Sequence, residues 1–276
     1  MNDRDELVAE TFLKSEIHEQ WVRTYEAGEN DPFYQAAFDK IFDRVPMSQT
    51  ATVLDAGCGD GSKSVRLAKR GVTVQAIDFS PIALKMAYAK INESGFSKNI
   101  FLTRANLCEL SFQDECFHHV LCWGVLMHIP NEEAAIGELA RVLKPGGYLI
   151  IKEANAKALE NRLALFLKKL ISSRRNQVEL TDKGTEYWKD TENGILLARK
   201  SNIRWLVNFC EDKGLTLDYR LSAELTEIYA KLGWKFFRNL IYTVNRVWLR
   251  VEGNPDLAVC NILFFRKNDP NMLIAL

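Results

Sequence analysis

The chain has 276 residues, 47% of them hydrophobic and 26% charged, and its 36 basic residues balance 36 acidic ones. This length supports one domain of about 250 residues, or one domain that carries insertions. The balanced charge provides no overall attraction to nucleic acid, so no nucleic-acid partner is expected. No apolar run reaches the ~18 residues that a transmembrane helix needs, and the N-terminus lacks the basic and apolar regions of a signal peptide.

The cysteines carry no zinc or redox motif, because no two of them form a Cys-x-x-Cys pair. We expect them to be free thiols in a reducing cytoplasm, which is therefore the predicted location. They are Cys58, Cys108, Cys116, Cys122, Cys210 and Cys260.

The N-terminal part of the chain is predicted to be helical. Residues 4–27 place apolar side chains at helical spacing among charges, and a second helix is expected over residues 33–45, where Pro46 ends it. We expect residues 1–46 to form a helical lid and residues 47–276 to form the main domain.

The chain is organised around residues 52–78, which read as strand, glycine turn, helix, strand and acid. An apolar run from Thr52 leads to Asp55 and then to a turn in which Gly57, Gly59 and Gly61 alternate with other residues. Glycine allows a sharp turn and a close approach of a ligand to the main chain. Asp78 ends the second strand, about 20 residues beyond the turn, where an acid can accept hydrogen bonds from a ribose. The pattern predicts a nucleoside-containing cofactor.

The spacing of the glycines distinguishes between the candidate classes of cofactor. The dinucleotide fingerprint has its third glycine or alanine where this chain has Ser62, and no lysine follows the glycines as in a triphosphate-binding loop. The order acid-x-Gly-x-Gly-x-Gly resembles motif I of the class I S-adenosylmethionine-dependent methyltransferases. The resemblance implies S-adenosyl-L-methionine as the cofactor and a Rossmann-like, doubly wound, seven-stranded, mostly parallel sheet. The cofactor-binding residues that it implies are Asp55, Gly57, Cys58, Gly59, Gly61, Asp78, Phe79, Asn106, Leu107 and Trp123.

Further motifs extend the resemblance over residues 50–153. Ser80 and Pro81 predict the start of a helix that stops at Gly95. Asn106 stands where the family usually has an acid that accepts from the adenine amino group, and its side-chain oxygen can still accept one hydrogen bond. His118 also replaces a usual acid. The turn at residues 141–147, Arg-Val-Leu-Lys-Pro-Gly-Gly, is a specific signal of the family.

His128 is the candidate catalytic residue, because it follows the fourth strand and histidine suits proton removal near neutral pH. A pocket-wall histidine with no role in proton transfer is the other interpretation. Some quinone-type O-methyltransferases have a Glu-His pair here that supports a metal. Met127 replaces that glutamate, so no metal site is predicted.

The resemblance weakens beyond residue 153. We expect insertions, mainly helical, at about residues 154–201 and 222–256, with a basic helix over 156–176, an irregular connection over 191–201 and a long aromatic helix over 228–251. A last strand over residues 258–265 is expected at the sheet edge. The insertions are expected to cap the substrate side.

The favoured function is methyl transfer from S-adenosyl-L-methionine to a small-molecule acceptor. The alternatives are a methyltransferase acting on a lipid or saccharide at a membrane surface, a non-catalytic S-adenosylmethionine-binding module, and an NAD-dependent oxidoreductase, which Ser62 disfavours. Peripheral membrane contact and a homodimer are left open, as are the acceptor and the atom that is methylated.

Overall fold

The computed structural model describes residues 3–25, 28–170, 176–192, 194–231 and 234–269, and within these ranges the chain forms nine α-helices and ten strands. The helices are α1 (Asp3–Thr11), α2 (Ser15–Tyr25), α3 (Asp31–Arg44), α4 (Ser62–Ala68), α5 (Pro81–Ser94), α6 (Glu132–Val142), α7 (Leu159–Leu170), α8 (Ile203–Asp212) and α9 (Lys235–Arg250). The strands are β1 (Thr52–Ala56), β2 (Thr73–Asp78), β3 (Ile100–Arg104), β4 (Phe117–Trp123), β5 (Leu143–Ala154), β6 (Asn176–Thr181), β7 (Gly184–Thr191), β8 (Gly194–Ser201), β9 (Leu215–Ser222) and β10 (Cys260–Lys267).

Seven strands form one sheet in the order β3-β2-β1-β4-β5-β10-β9. β1 lies parallel to both β2 and β4, and β2 lies parallel to β3, with Val53 opposite Val74 on one side and His119 on the other. Val53, Leu54 and Val120 are fully buried, as expected of central parallel strands covered on both faces. The predicted seven-stranded, mostly parallel, Rossmann-like fold is confirmed.

Local signals place the helix that follows β2. Ser80 Oγ accepts a hydrogen bond from the amide of Ala83, and Pro81 occupies the first helical position of α5. Gly95 ends the helix with a φ of +80°, a left-handed conformation that costs a glycine little. Both predicted ends of this helix are confirmed.

Three predicted elements differ from the structure. The N-terminal helix is two helices, α1 and α2, whose break is held by a 2.8 Å hydrogen bond between His18 Nε2 and the Phe12 carbonyl oxygen. The long helix predicted over 228–251 is a short 3-10 helix at Ile228–Lys231 followed by α9. β10 lies between β5 and β9, so the prediction that it is the edge strand is wrong. The predicted helical positions 26–27, 171–175 and 232–233 lie outside the described residues.

The irregular connection predicted over residues 191–201 is also wrong, and the insertion that contains it is not mainly helical. β6, β7 and β8 form a second, antiparallel, three-stranded sheet. Glu186 lies opposite Arg199 across β7 and β8, and the two form a buried ion pair of 2.9 Å. Charges in both strands obscured the alternation of apolar and polar residues that predicts a strand, since such charges are buried only when paired.

The contacts divide the chain into two compact units. The first contains residues up to Arg44, Lys152–Leu206 and Arg220–Ile262, and the second contains Val45–Ile151, Val207–Tyr219 and the residues from Leu263. The lid over residues 1–46 and the capping insertions stay predictions. Among the residues that the structure describes, no helix has the length and apolarity needed to cross a membrane.

Candidate cofactor site

The glycine loop lies at the end of β1 and is tied to the end of β2. The amides of Gly57 and Cys58 both donate to the carbonyl oxygen of Ile77, at 2.9 and 2.8 Å. Gly57, Gly59 and Gly61 all have positive φ, at +79°, +55° and +80°. This conformation disfavours residues with a side chain, which explains why the turn alternates glycine with other residues.

The three glycines differ in what surrounds them. A Cβ at Gly57 would lie 2.5 Å from Val125 Cγ2, and one at Gly61 would lie 3.1 Å from the Ala87 Cβ on α5. Apart from its two chain neighbours, no residue that the structure describes would have an atom within 4 Å of a Cβ at Gly59. Packing therefore disfavours a side chain strongly at Gly57 and more weakly at Gly61, whereas Gly59 leaves open space beside the loop.

Asp78 joins the loop to the end of β2. Its Oδ2 accepts a hydrogen bond from the Gly59 amide and its Oδ1 accepts one from the Ser80 amide, both at 2.9 Å. Each carboxylate oxygen has two lone pairs, so the side chain can accept further hydrogen bonds from a ligand. The half-buried Asp78 carboxylate thus lies beside the open space at Gly59.

Asp55 is buried and faces the core of the same unit. Its Oδ2 accepts a 2.5 Å hydrogen bond from Ser64 Oγ in α4, and burial raises its pKa from 3.8 to about 6. The structure therefore gives Asp55 a supporting role, because it holds α4 against β1. Its predicted contact with a cofactor stays a prediction.

A second acid of the loop was missed by the sequence analysis. Asp60 Oδ1 accepts from the Ser62 amide at 3.1 Å, and its Oδ2 accepts from Ser62 Oγ and from Lys90 Nζ in α5. Burial alone would raise the pKa of Asp60, but the charges of Lys63 and Lys90 outweigh it and lower that pKa. The Asp-x-Ser spacing ahead of a helix was the available signal. This ion pair ties the loop to α5.

The residues predicted to flank a nucleoside lie after β2 and β3. Arg104 Nε donates to the Phe79 carbonyl oxygen at 3.1 Å, and its guanidinium carbon lies 5.5 Å from the Phe79 ring centroid. Asn106 is exposed, and its Oδ1 accepts from the Cys108 amide at 3.0 Å. Leu107 is buried. Asn106 Oδ1 keeps one lone pair for a further donor.

The end of β4 carries the candidate base. Trp123 is 9% exposed, Gly124 has a φ of +66°, and a 3-10 helix follows at Leu126–His128. The His128 amide donates to the Val125 carbonyl oxygen at 2.9 Å, and the residue is half-buried. Because β1, β2, β3 and β4 are parallel, the residues that follow them meet at one sheet edge. Val125, which packs on Gly57, connects the glycine loop to this segment directly.

His118 has a structural role at the other end of β4. Its Nδ1 accepts from the Thr52 amide at 3.0 Å, and its Nε2 lies 3.1 Å from Lys144 Nζ. Desolvation and the Lys144 charge lower its pKa, so the neutral ring serves as an acceptor where the family usually has an acid. Within the described ranges, no group of three or more His, Cys, Asp or Glu residues could hold a metal ion. All six cysteines are free thiols.

The first unit contains a buried ionic cluster that sequence reasoning did not find. Lys152 Nζ lies 3.5 Å from Glu224 Oε2, and Lys200 Nζ lies 3.1 Å from Glu227 Oε2. The Cys260 thiol donates to Glu227 Oε1 at 3.1 Å. Burial would raise the pKa of Glu227, but the two lysines lower it to about 2. These residues are distant in sequence and match no motif, so only folding shows that they meet.

Comparison with known sequences supports the interpretation of the sheet edge around the glycine loop as a methyltransferase site. Residues 53–147 match the family described as methyltransferase domain. The chain is 36% identical over 152 residues to ubiquinone biosynthesis O-methyltransferase of Xylella fastidiosa (strain 9a5c), covering 55% of this chain and 58% of that protein. It is 33% identical over 115 residues to demethylmenaquinone methyltransferase of Lactiplantibacillus plantarum (strain ATCC BAA-793 / NCIMB 8826 / WCFS1), covering 41% and 48%. The chain thus spans about half the length of the curated relatives it matches.

Comparison with solved structures agrees on the fold. The structure of magnesium protoporphyrin IX methyltransferase from Synechocystis PCC 6803, which has bound SAH, superposes with a TM-score of 0.63 at 18% identity, covering 96% of this chain and 100% of that one. The fold is therefore the Rossmann-like fold of the methyltransferases. The predicted resemblance to the class I S-adenosylmethionine-dependent methyltransferases is confirmed for the region of the match, residues 53–147.

Proposed function

We propose that this protein is an enzyme that transfers a methyl group from S-adenosyl-L-methionine to a small-molecule acceptor. The observation that carries the proposal is the open space at Gly59, bordered by a carboxylate that already holds the loop. A nucleoside needs room beside the main chain and an acceptor for its ribose hydroxyls, and this loop has both. The methyltransferase-domain match over residues 53–147 supports S-adenosyl-L-methionine as the cofactor.

The cofactor would be held by the same edge of the sheet. Asp78 would accept from the ribose hydroxyls, while Gly57, Cys58, Gly59 and Gly61 would shape the backbone around the amino-acid portion. Phe79, Asn106 and Leu107 would border the base, and Trp123 would close the end of β4. Asp55 would act through Ser64 by holding the loop and α4 in place.

We propose a hydroxyl oxygen as the methyl acceptor, since the relative that aligns over 152 residues is named an O-methyltransferase. When bound, S-adenosyl-L-methionine supplies an electrophilic methyl group on a sulfonium. The chain has to align the acceptor oxygen and remove its proton. His128 follows β4 at the edge where the cofactor would lie, and its imidazole is the proposed base. No metal is part of this proposal, because Met127 stands in place of the glutamate that a Glu-His pair would need.

The matched pair Gly59 and Gly95 tests the cofactor site. Both residues have positive φ, and in the described part of the chain, their direct neighbours aside, a Cβ at either would meet no atom within 4 Å, so an alanine strains the backbone alike at both positions. Only Gly59 borders the proposed ligand. We expect Gly59→Ala to weaken S-adenosyl-L-methionine binding at least tenfold in isothermal titration calorimetry, and Gly95→Ala to leave it unchanged, with similar losses of thermal stability. Equal affinities in both variants would place the cofactor elsewhere.

Two further experiments test which cofactor binds and whether a methyl group is transferred. Titration with NADH in the same calorimeter separates a methyltransferase from an oxidoreductase, since only one of the two cofactors should bind. Incubation with S-adenosyl-L-methionine and a panel of catechols, phenols and hydroxyquinones, read by mass spectrometry, should show a product heavier by one methyl group. Cofactor binding without turnover of any acceptor would favour the non-catalytic binding module.

A further inference from the structure

Helix α9 in the first unit carries basic and apolar residues that have no part in the proposed methyl transfer. It contains Lys235, Arg238, Arg246 and Arg250 and no acidic residue. Its buried residues are Tyr242, Asn245 and Leu249; the Tyr242 ring lies 4.9 Å from that of Tyr229, and the helix also packs against α3. Arg238, Ile241, Arg246 and Trp248 are partly buried beside them, and the other residues of the helix are exposed.

The face opposite the buried one is apolar. Its residues recur at intervals of three and four, which places them in one row along the helix. The row continues into two aromatic residues at the N-terminal end, Trp234 and Phe236, each 74% exposed. We call this surface the apolar stripe; it consists of Trp234, Phe236, Phe237, Leu240, Val244, Val247 and Val251, all of them exposed. Single exposed apolar residues are ordinary, but a continuous row of this kind indicates an interaction surface.

A polar groove runs along one flank of the stripe. It is lined by Asn239, Thr243 and Arg246 from α9 and by Pro32 and Phe33 from the first turn of α3. Arg246 Nε is buried and has no hydrogen-bond acceptor among the described residues. A guanidinium nitrogen without an acceptor favours an anion such as a phosphate. The groove and the stripe are adjacent because Asn239 follows Phe236 by three positions and Thr243 precedes Val247 by four, the spacings of neighbours on a helix surface.

We propose that α9 docks on the surface of an anionic lipid bilayer, with the apolar stripe at the acyl boundary and a lipid phosphate in the groove. A basic amphipathic helix with exposed Trp and Phe on its apolar face has the chemistry of an interfacial helix. A second copy of this chain would cover the stripe, but its α9 would supply no anion to the groove, since the helix contains no acidic residue. A nucleic acid would engage the basic residues but would leave the stripe exposed.

Helix α7 of the same unit repeats the pattern on a smaller scale. Leu159, Leu163 and Phe166 recur at intervals of four and three, and all three are more than half exposed. Arg162 lies among them and is exposed as well. Membrane docking goes beyond the proposed methyl transfer and does not depend on it, because the vesicle assay needs neither cofactor nor acceptor.

The test is co-sedimentation of the full-length protein with sucrose-loaded vesicles. Vesicles of phosphatidylcholine mixed with phosphatidylglycerol should pellet the protein at low salt, phosphatidylcholine alone should pellet much less, and added salt should release it. Phe237→Ser combined with Leu240→Ser should weaken binding roughly tenfold, as expected for the loss of two exposed apolar side chains that the bilayer would partly bury. Arg246→Gln should weaken it about fivefold. Tyr88→Ser on α5, an exposed aromatic residue of the second unit, is the matched control and should bind like the unchanged protein.

Each other outcome overturns the proposal. Equal binding to both kinds of vesicle would exclude recognition of anionic lipid. Full binding by the folded double variant, checked by circular dichroism, would place the contact elsewhere. Absence of vesicle binding, together with a dimer in analytical ultracentrifugation that the double variant loses, would make the stripe an interface between copies. Because the assay measures lipid and not catalysis, its failure leaves the proposed methyl transfer intact.

Discussion

The replacement Asp78→Asn tests whether the acid after β2 holds both the loop and a ligand. The Asp78 carboxylate accepts one hydrogen bond from the Gly59 amide and one from the Ser80 amide, each 2.9 Å long. Asparagine preserves size and shape but has only one acceptor oxygen, so an NH₂ group must face one of these two donors. The proposed bonds from the ribose hydroxyls would lose a charged acceptor in addition.

The magnitude follows from the number of bonds that change. A hydrogen bond to a charged group contributes about 1.5–3 kcal/mol, and at least one such bond is lost at the ligand. We therefore expect the Kd for S-adenosyl-L-methionine to rise about 10- to 100-fold in isothermal titration calorimetry. The loss of one loop contact should lower the free energy of unfolding by about 1–2 kcal/mol, measured by urea denaturation without ligand.

The control is Asp190→Asn, which removes one negative charge from an exposed position in the first unit. It should change neither the Kd nor the free energy of unfolding. If Asp78→Asn loses stability but binds the cofactor as the unchanged protein does, then Asp78 serves the loop alone and the ribose contact is wrong. If Asp78→Asn changes neither the Kd nor the free energy of unfolding, the hydrogen bonds to Gly59 and Ser80 do not contribute measurably to stability.

Three further substitutions test other parts of the second unit, which contains Asp78. His128→Ala should lower turnover about 100-fold with little change in cofactor affinity. The rate of the unchanged enzyme should fall in acid, because a protonated imidazole accepts no proton. Near-normal turnover in the variant would mean that the enzyme acts only by aligning the acceptor with the methyl group. Gly57→Ala should lose stability through contact with Val125, and Val125→Ala should recover about 1 kcal/mol in a double-mutant cycle of urea denaturation, whereas additive losses would rule the contact out. Asp55→Asn should raise the free energy of unfolding more at pH 8 than at pH 4, by up to about 3 kcal/mol. The reason is that the pKa of Asp55 is raised, so its contribution to folding is full below pH 3.8 and is lost as the pH rises through about 6. A difference that does not depend on pH would contradict the burial of this charge.

The local parts of the fold could be predicted because adjacent residues decide them. Ser80, Pro81 and Gly95 set the ends of α5 through hydrogen bonds and backbone angles within a few residues. The apolar runs of the central strands and the glycines of the loop are likewise local, since each reflects burial or a positive φ at its own position. The order of strand, glycine turn, helix, strand and acid predicted a nucleoside-containing cofactor, and its resemblance to motif I implied the seven-stranded sheet that the structure has.

Misassigned elements depended on partners that lie elsewhere in the chain. β7 and β8 carry Glu186 and Arg199, which are buried together only because the strands pair, so neither strand showed a plain alternation of apolar and polar residues. β10 was expected at the edge, but strand order is a long-range property that the apolar content of one strand does not encode.

The glycine loop, Asp78 and the motifs up to residue 147 could be read in the sequence, and they led to the proposed cofactor. The interactions of each side chain became visible only in the folded chain. Folding turned Asp55 inward to Ser64, joined Asp60 to Lys90, and left one face of α9 exposed while the other packs on α3. The physical reason is that burial and pairing set the charge and accessibility of a side chain, and both depend on residues far away in the sequence.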